Sequence, residues 1–220
     1  MSTCGPSAQP PRFGLVVVIA SLGGLSPIST LLAGLPANFP VPVLVMQHRH
    51  ASERADALAW LLAIRTALPV SSARDGACAY SPGATVVPPG AAAAVEAGGY
   101  LRVQPRTGRV VAARTDGNAL LASAAAEPSA GPVIGVVLSG KMKDGTEGIR
   151  AVKRHGGRVL VQDPVTAQAP AMPASAIATG CVDFILPPER MPAALISLVM
   201  APGGAQLLTV PIPHWAQLGA

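Results

Sequence analysis

Short apolar runs alternate with amphipathic segments over most of the chain. The runs are typical of buried parallel strands, and they lie at 14–20, 42–47, 132–139, 157–162 and 182–186. Helices are predicted at 53–67, 118–126, 144–155 and 173–179. A last helix is predicted near the end of the domain, where one face is formed by the apolar residues Met191, Ala194, Leu195, Leu198 and Val199. A further helix begins with Ser26 as N-cap and Pro27 as its first residue. This alternation predicts a three-layer, doubly wound α/β fold with a mostly parallel sheet and helices on both faces.

The stretch from about 69 to 114 breaks the alternation. Its short segments are separated by Pro-Gly, Gly-Gly and Thr-Gly-Arg turns, which predict a β-hairpin insertion rather than further βα units. Residues 1–12 are small and polar and predict a loose N-terminal tail, and residues 201–220 predict a peripheral C-terminal tail. One domain over residues 13–200 is therefore expected.

Composition narrows the class of protein. The 220 residues are 50% hydrophobic and 12% charged, which excludes a disordered chain. No apolar run approaches the roughly 18 to 20 residues of a membrane helix, so no membrane insertion is expected. The first residues lack the pattern of a signal peptide, which makes the cytoplasm the expected compartment.

The three cysteines, Cys4, Cys78 and Cys181, have unrelated spacings and predict neither a disulfide framework nor a metal site. The net charge of +5 is scattered, without basic runs or interleaved aromatics, which argues against a nucleic-acid partner.

Candidate chemistry lies where strands end, because an open parallel sheet binds ligands beyond the carboxyl ends of its strands. Ser21 follows the first strand, His48 follows the second, and Asp144 follows the strand at 132–139. These are the residue types of nucleophilic acyl transfer, in which a base activates the hydroxyl and a carboxylate orients the imidazole. A Ser-His-Asp site at this edge is one hypothesis.

Each residue also has a plainer interpretation. Ser21 fits a helix-entry turn, and Gly23-Gly24 is a weak phosphate-binding signal because the GxGxxG pattern is absent. His48 fits an ordinary histidine at a strand end. Asp144 and Glu147 have the spacing of a capping box, which would make Asp144 a helix cap. The pattern of residues alone leaves these alternatives open.

Five motifs then occur in order along the chain. They read VVVIASLGGL, VPVLVMQHRH, DGACAYSPGATVVPPG, GVVLSGKMKDGTEGIRAVKRHGG, and the pair VLVQDPVT and AMPASAI. In this order they resemble the methylesterase domain of chemotaxis protein-glutamate methylesterases, the CheB type. The resemblance covers about residues 13–200.

The resemblance implies a serine hydrolase with Ser21 as nucleophile, His48 as general base and acid, and Asp144 as orienting carboxylate. The implied reaction is hydrolysis of glutamyl γ-methyl esters on the cytoplasmic helices of chemoreceptors, and some relatives also deamidate glutamine. The implied partner is a chemoreceptor or a related signalling protein. No metal or organic cofactor is implied.

The site loops depart from the family pattern. Leu22 replaces a threonine after the nucleophile, and Lys141-Met142 replaces Met-Gly in the loop expected to bind the oxyanion. A positive φ at Met142 would be strained. Lys141 is expected to favour the ionised carboxylate of Asp144 and to compete with His48 for it.

Other positions also differ from the family pattern. An aspartate of the family is Asn118 here, the arginine expected after Gly-Met-Pro is Ala174, and Ala91 to Ala94 lack a histidine. Family members commonly carry an N-terminal receiver domain, for which residues 1–12 leave no room. We therefore expect a stand-alone esterase that is constitutive, is controlled by a separate regulator chain, or belongs to a larger system.

Three hypotheses follow. The first is an active methylesterase, and the second is a catalytically degraded domain that acts as a binding or regulatory module. The third, a nucleotide-binding domain, rests on Gly23-Gly24 alone. A hydrogen-bonded chain from Ser21 through His48 to Asp144 favours the first, whereas an Asp144–Lys141 pair favours the second.

Overall fold

The computed structural model describes residues 13–105, 116–127 and 131–201. The strands are β1 (Leu15–Ala20), β2 (Val43–Gln47), β3 (Val70–Ser72), β4 (Ala84–Val86), β5 (Ala91–Glu96), β6 (Tyr100–Pro105), β7 (Val133–Val137), β8 (Arg158–Gln162) and β9 (Phe184–Leu186). The helices are α1 (Leu25–Ala33), α2 (Ala57–Ala63), α3 (Asp116–Ala126), α4 (Thr146–Arg154), α5 (Ala171–Ile177) and α6 (Met191–Met200). Short 3-10 turns, Pro164–Thr166 and Pro188–Arg190, precede α5 and α6.

Seven strands form one sheet in the order β3-β4-β2-β1-β7-β8-β9, and every neighbouring pair is parallel. Strands β5 and β6 form a separate antiparallel hairpin. One set of alternate β1 residues packs in a core with α1, α2 and α6, and the other set packs in a second core with α3, α4, α5 and the hairpin. Burial on both faces explains the uninterrupted apolar run of β1. The predicted doubly wound fold with a hairpin insertion is confirmed.

Several predicted boundaries shift in the structure. The helix predicted at 53–67 is only α2, because Glu53 accepts a hydrogen bond from the His50 N–H and closes a turn before it. Helix α1 has Gly24 as its N-cap, so Ser26 and Pro27 lie inside its first turn. The prediction of Ser26 as N-cap is therefore wrong.

The segment at 69–114 is only partly a hairpin. Strands β3 and β4 join the main sheet in parallel, with Val43 of β2 opposite Ala84 of β4. Strands of three residues carry too little periodicity to be told from a turn-rich insertion. The last part of this segment, 106–114, the predicted tail at 1–12 and nearly all of 201–220 lie outside the described residues.

Two further observations concern the class of protein. None of the helices in the described ranges has the length and apolar character that crossing a bilayer requires. Cys78 is an exposed free thiol and Cys181 a buried one, whereas Cys4 lies outside the described residues. Burial raises the pKa of the Cys181 thiol, which keeps it protonated and unreactive.

Candidate active site

The site lies where the direction of winding changes. The connection after β1 leads through α1 on one face of the sheet, and the connection after β7 leads through α4 on the other. Beside this switch point, the loops after β1 and β7 separate at the carboxyl edge, which is where doubly wound sheets bind ligands. Ser21 follows β1, Ser139 to Asp144 follow β7, and His48 follows the neighbouring β2.

Asp144 is buried and accepts hydrogen bonds from three backbone N–H groups. Its Oδ2 accepts from Gly117 at 2.7 Å, and its Oδ1 accepts from Asn118 at 2.9 Å and from Gly145 at 2.8 Å. Gly117 and Asn118 belong to the first turn of α3, whose N-terminal N–H groups favour an anion. A side chain at position 117 would bring a Cβ within 2.7 Å of Asp144 Oδ2, so this approach requires glycine. The carboxylate is therefore fixed in position by the backbone.

His48 meets this carboxylate inside the protein. Its Nε2 lies 3.0 Å from Asp144 Oδ2, and both side chains are buried. The backbone N–H of His48 donates to the carbonyl of Ala20, which ties the loop after β2 to the end of β1. Neither ring nitrogen makes a directed hydrogen bond to the described residues, so the contact with Asp144 is one of proximity. With Nε2 beside the carboxylate, Nδ1 is the ring nitrogen left for another group.

The Ser21 loop is held by its backbone. The Ser21 N–H donates to the Ser139 carbonyl at 2.9 Å, and the Ser21 carbonyl accepts from Gln47 Nε2 at 3.2 Å. A Cβ on Gly140 would lie 3.0 Å from Ser21 Cβ and would overlap Met172, so only glycine lets the loop after β7 pack this closely. The Ser21 side chain itself has no hydrogen bond with the described residues and is half-buried.

Ser139 connects the loops around Ser21. Its Oγ donates to the carbonyl of Leu22 at 2.8 Å and accepts from the N–H of Ala169 at 3.0 Å. Its own N–H donates to Gln162 Oε1. Ser139 had no assigned role in the sequence, although its position after β7 matches that of Ser21 after β1. It orders the site without facing the groove described next.

A groove of about 350 Å³ opens beside Ser21. Ser21 and His48 both line it, together with Gln47, Arg49 and Glu53. The rest of its wall is mainly apolar and comes from the β1–α1 turn and α2, namely Leu22, Gly23, Leu25, Ala57, Leu58 and Leu61. The groove is open to solvent and wide enough for a side chain of another protein.

The three predicted site-loop residues have different positions. Leu22 lines the groove and is exposed. Lys141 is exposed and lines a separate cavity with Gln168 and α5, so it does not face the Ser21 groove. Met142 is half-buried, and no non-glycine residue in the described ranges has a positive φ, so the strain proposed for Met142 is absent. In those ranges Asp144 Oδ2 lies beside His48 Nε2, and no ion pair joins Asp144 to Lys141.

The capping-box interpretation of Asp144 and Glu147 is wrong. Helix α4 has Gly145 as its N-cap, and its first N–H groups, those of Glu147 and Gly148, donate to Asn118 Oδ1 at 2.9 and 3.0 Å. Asp144 therefore caps α3, while Asn118 of α3 caps α4. The substitution to Asn118 preserves an acceptor oxygen, which is what the end of α4 needs.

Arg49 was missed from the sequence because a single arginine after a strand carries no motif. It is buried, lines the groove, and pairs through Nη1 with Glu53 Oε2 at 3.7 Å. Burial lowers the pKa of Arg49, and the neighbouring Glu53 carboxylate offsets this only in part. The groove wall therefore carries one buried cation, Arg49, beside one more exposed anion, Glu53.

A protein-family model described as CheB methylesterase matches residues 16–195 of this chain. The chain belongs to the CheB methylesterase family. A protein-glutamate methylesterase/protein-glutamine glutaminase of Anaeromyxobacter dehalogenans is 39% identical over 189 residues, covering 84% of this chain and 54% of that protein. A similarly named protein of Thermotoga maritima is 33% identical over 201 residues, covering 87% and 56%. The chain thus spans about half the length of these CheB relatives.

A solved structure agrees with this assignment. The crystal structure of the Thermotoga maritima CheB methylesterase catalytic domain matches with a TM-score of 0.74 at 32% identity. The match covers 85% of this chain and 99% of that chain. The family and the fold predicted from the sequence are both confirmed, and the domain belongs to a hydrolase family of chemotaxis signalling.

Proposed function

We propose that the protein is an active glutamyl methylesterase in which Ser21 is the nucleophile, His48 the general base and acid, and Asp144 the orienting carboxylate. The observation that carries the proposal is the 3.0 Å contact between His48 Nε2 and Asp144 Oδ2 at the wall of the groove that Ser21 also lines. This contact leaves Nδ1 as the nitrogen that serves Ser21. Catalytic hydrogen bonds are often poorly aligned before substrate binds, so the unbonded Ser21 hydroxyl is compatible with the role.

The reaction would proceed in two halves. Ser21 Oγ attacks the carbonyl carbon of the γ-methyl ester while His48 Nδ1 takes its proton, and the protonated imidazole then delivers that proton to the departing methoxide. Water attacks the resulting acyl-serine with His48 again as base, which releases the glutamate side chain and restores Ser21. Asp144 holds the ring and stabilises its cation at each stage. The balance is one ester and one water giving one carboxylic acid and one methanol.

The oxyanion would bind to backbone N–H groups of the two loops that meet at Ser21. The N–H groups of Leu22, Lys141 and Met142 donate to no group among the described residues. Gly140 packs against Ser21 Cβ, so the next peptide along the loop lies close to the nucleophile. A contribution from the backbone would tolerate the changed side chains at these positions, because the side chain takes no part in it.

A glutaminase activity of the same site is a natural extension. The A. dehalogenans and T. maritima relatives both carry protein-glutamine glutaminase in their names. Attack on a glutamine amide follows the same course, with ammonia leaving in place of methanol. The proton that His48 holds is needed more by this poorer leaving group, so we expect deamidation to be the slower reaction.

The degraded-module alternative rests on Leu22, Lys141, Met142, Asn118 and Ala174. The hydrogen-bonded chain from Ser21 to Asp144 is not formed among the described residues, but Asp144 Oδ2 lies 3.0 Å from His48 Nε2 and has no ion pair with Lys141 there, which supports the enzyme. Asn118 keeps a capping function at α4. The altered residues therefore surround the three proposed catalytic side chains without displacing them.

We propose cytoplasmic helices of a chemoreceptor, or of a related signalling protein, as the substrate, with the cytoplasm as the compartment. A net charge of +5 favours association with an acidic helical bundle. Association that is insensitive to ionic strength between about 50 and 500 mM salt would contradict this electrostatic contribution.

The test of the activity is methanol release from methylated receptor or from a glutamyl methyl ester peptide. Ser21→Ala should reduce the rate by several orders of magnitude, up to ~10⁶ by comparison with other serine hydrolases. Ser197→Ala, on the exposed side of α6, is the matched control and should retain the wild-type rate. Equal rates in Ser21→Ala and wild type would overturn the proposal.

A further inference from the structure

Arg49 has an unusual environment for a residue at the edge of a substrate groove. Its side chain is 7% exposed, and it lines both the Ser21 groove and a small adjoining pocket of about 30 Å³. His48 and Gln47 border both spaces as well, and Asp116 lines the small pocket. The guanidinium thus sits one residue from the proposed base, in the wall that a bound substrate would touch.

The guanidinium is incompletely paired. Nη1 lies 3.7 Å from Glu53 Oε2, a loose contact, while Nε and Nη2 are buried without a hydrogen-bond partner in the described part of the chain. A buried cation is costly unless it is paired and hydrogen-bonded, and arginine carries five N–H donors suited to a carboxylate. The side chain of Glu53 is 46% exposed, so its carboxylate is a weak, solvent-screened counter-ion.

We propose that Arg49 is a specificity residue that binds a carboxylate of the substrate chain close to the scissile ester. This inference deepens the proposed methylesterase function, on which it rests, by naming an acidic peptide as the substrate class. The incoming carboxylate replaces Glu53 at the guanidinium and forms charge-assisted hydrogen bonds in a site largely withdrawn from water. Glu53 also accepts from the His50 N–H through Oε1, so it keeps one partner when Arg49 is engaged elsewhere.

The groove fits this role because its remaining wall is mainly apolar. Leu22, Leu25 and Leu61 supply surface for the aliphatic part of a substrate, and Arg49 and Glu53 are the charged residues on it. Lys141 borders the other cavity and cannot replace Arg49 in this groove. Arg49 is therefore the residue of this groove that distinguishes an acidic substrate peptide from a neutral one, and the Glu53 carboxylate repels the acidic peptide.

The test is peptide binding to the Ser21→Ala protein, which does not require turnover. The peptides carry one glutamyl methyl ester and a single glutamate at each position up to four residues on either side, each with a glutamine counterpart. At one or more positions the glutamate peptide should bind about tenfold more tightly than its counterpart, as expected for a hydrogen-bonded ion pair. Arg49→Met in this background should abolish the difference.

Two further variants separate specificity from a structural role. Arg54→Met removes the same charge from an exposed position in the same loop and should keep the preference. Glu53→Gln leaves Arg49 in place but removes its competitor, so it should increase the preference for the glutamate peptide severalfold. The second variant keeps the proposal testable even if Arg49→Met does not fold.

The outcomes also distinguish this inference from the proposed function. If wild-type protein releases no methanol but the binding preference depends on Arg49, the esterase proposal fails and the inference about Arg49 stands. If methanol is released but glutamate and glutamine peptides bind equally at every position, the inference is overturned. Equal loss of binding to both peptides in Arg49→Met would likewise assign Arg49 a structural role only.

Discussion

Two layers of the site differ in how completely their polar groups are paired. In the inner layer, Asp144, Ser139 and Asn118 each make two or more hydrogen bonds, mostly to backbone groups of other elements. On the groove wall, the Ser21 hydroxyl, the His48 ring and two nitrogens of Arg49 make no directed hydrogen bond within the described residues. Groups of the inner layer are satisfied by the fold, whereas these groups of the wall are buried or half-buried and lack a hydrogen-bond partner in the described residues.

This difference means that the two layers are constrained in different ways. A paired inner residue is constrained by the cost of leaving a buried donor or acceptor unsatisfied. A wall side chain without a directed hydrogen bond leaves no partner group unsatisfied when its polar atoms are removed, although burial still limits the size and shape of its replacement. We therefore expect wall substitutions to change activity with little effect on stability, and inner-layer substitutions to change stability.

The largest expected effect belongs to the wall. His48→Gln should lower methanol release by about 10⁵ to 10⁶-fold while changing the free energy of unfolding by less than about 1 kcal/mol. His50→Gln, at an exposed position two residues along, is the matched control and should retain activity. Turnover and chemical denaturation of both variants measure the two effects, and comparable rates for the two proteins would remove His48 from the mechanism.

Asp144 joins the two layers, so its replacement should affect both properties. Asp144→Asn should lower turnover about 10³ to 10⁴-fold, because the amide no longer fixes or stabilises the protonated imidazole. Asp144→Ala should in addition lower the free energy of unfolding by about 2 to 4 kcal/mol, because three N–H donors lose their acceptor. An alanine variant of wild-type stability would contradict the account of the inner layer.

Ser139 belongs to the inner layer alone. Ser139→Ala should lower the free energy of unfolding by about 1 to 3 kcal/mol, because the Ala169 N–H loses its acceptor and the Leu22 carbonyl its donor. Turnover should fall by no more than about tenfold, because a shift of the Ser21 loop that adds about 1.4 kcal/mol to the activation free energy costs that factor. A loss as large as that of Ser21→Ala would instead point to Ser139 as a reacting group.

The smallest effect is expected at Asn118. Asn118→Ala removes the side-chain cap of α4 and should lower the free energy of unfolding by about 1 kcal/mol. The Asn118 N–H that reaches Asp144 is a backbone group and survives the substitution, so turnover should be nearly unchanged. A large loss of activity at wild-type stability would show that the Asn118 side chain contributes to catalysis rather than to the stability of α4.

The sequence predicted the architecture and the three candidate residues for a shared physical reason. Ser21 and His48 come directly after strands whose apolar runs are unambiguous, and parallel strands deliver such residues to one edge. The order of β1, β2 and β7 in the sheet was not predicted and comes from the structure. Asp144 was predicted from its place after the strand at 132–139, and the family resemblance implied its role, although its spacing to Glu147 suggested a local cap.

What escaped prediction depends on contacts distant in sequence. The cap that Asp144 supplies to α3 and the bridge that Ser139 forms between two loops join residues roughly 27 to 117 positions apart. The three-residue strands β3 and β4 are defined by pairing with a neighbour rather than by their own periodicity. The environment of Arg49 is likewise a property of packing, because neither its burial nor its loose pairing with Glu53 has a sequence signature.

The most direct test of the central claim is the reactivity of Ser21 toward an organophosphorus reagent that labels activated serines. Mass spectrometry of wild-type protein should show one adduct on the peptide that contains Ser21, and His48→Gln should lose it while His50→Gln keeps it. An unlabelled Ser21 in the folded wild-type protein, or labelling that is unchanged in His48→Gln, would contradict a nucleophile activated by His48 and Asp144.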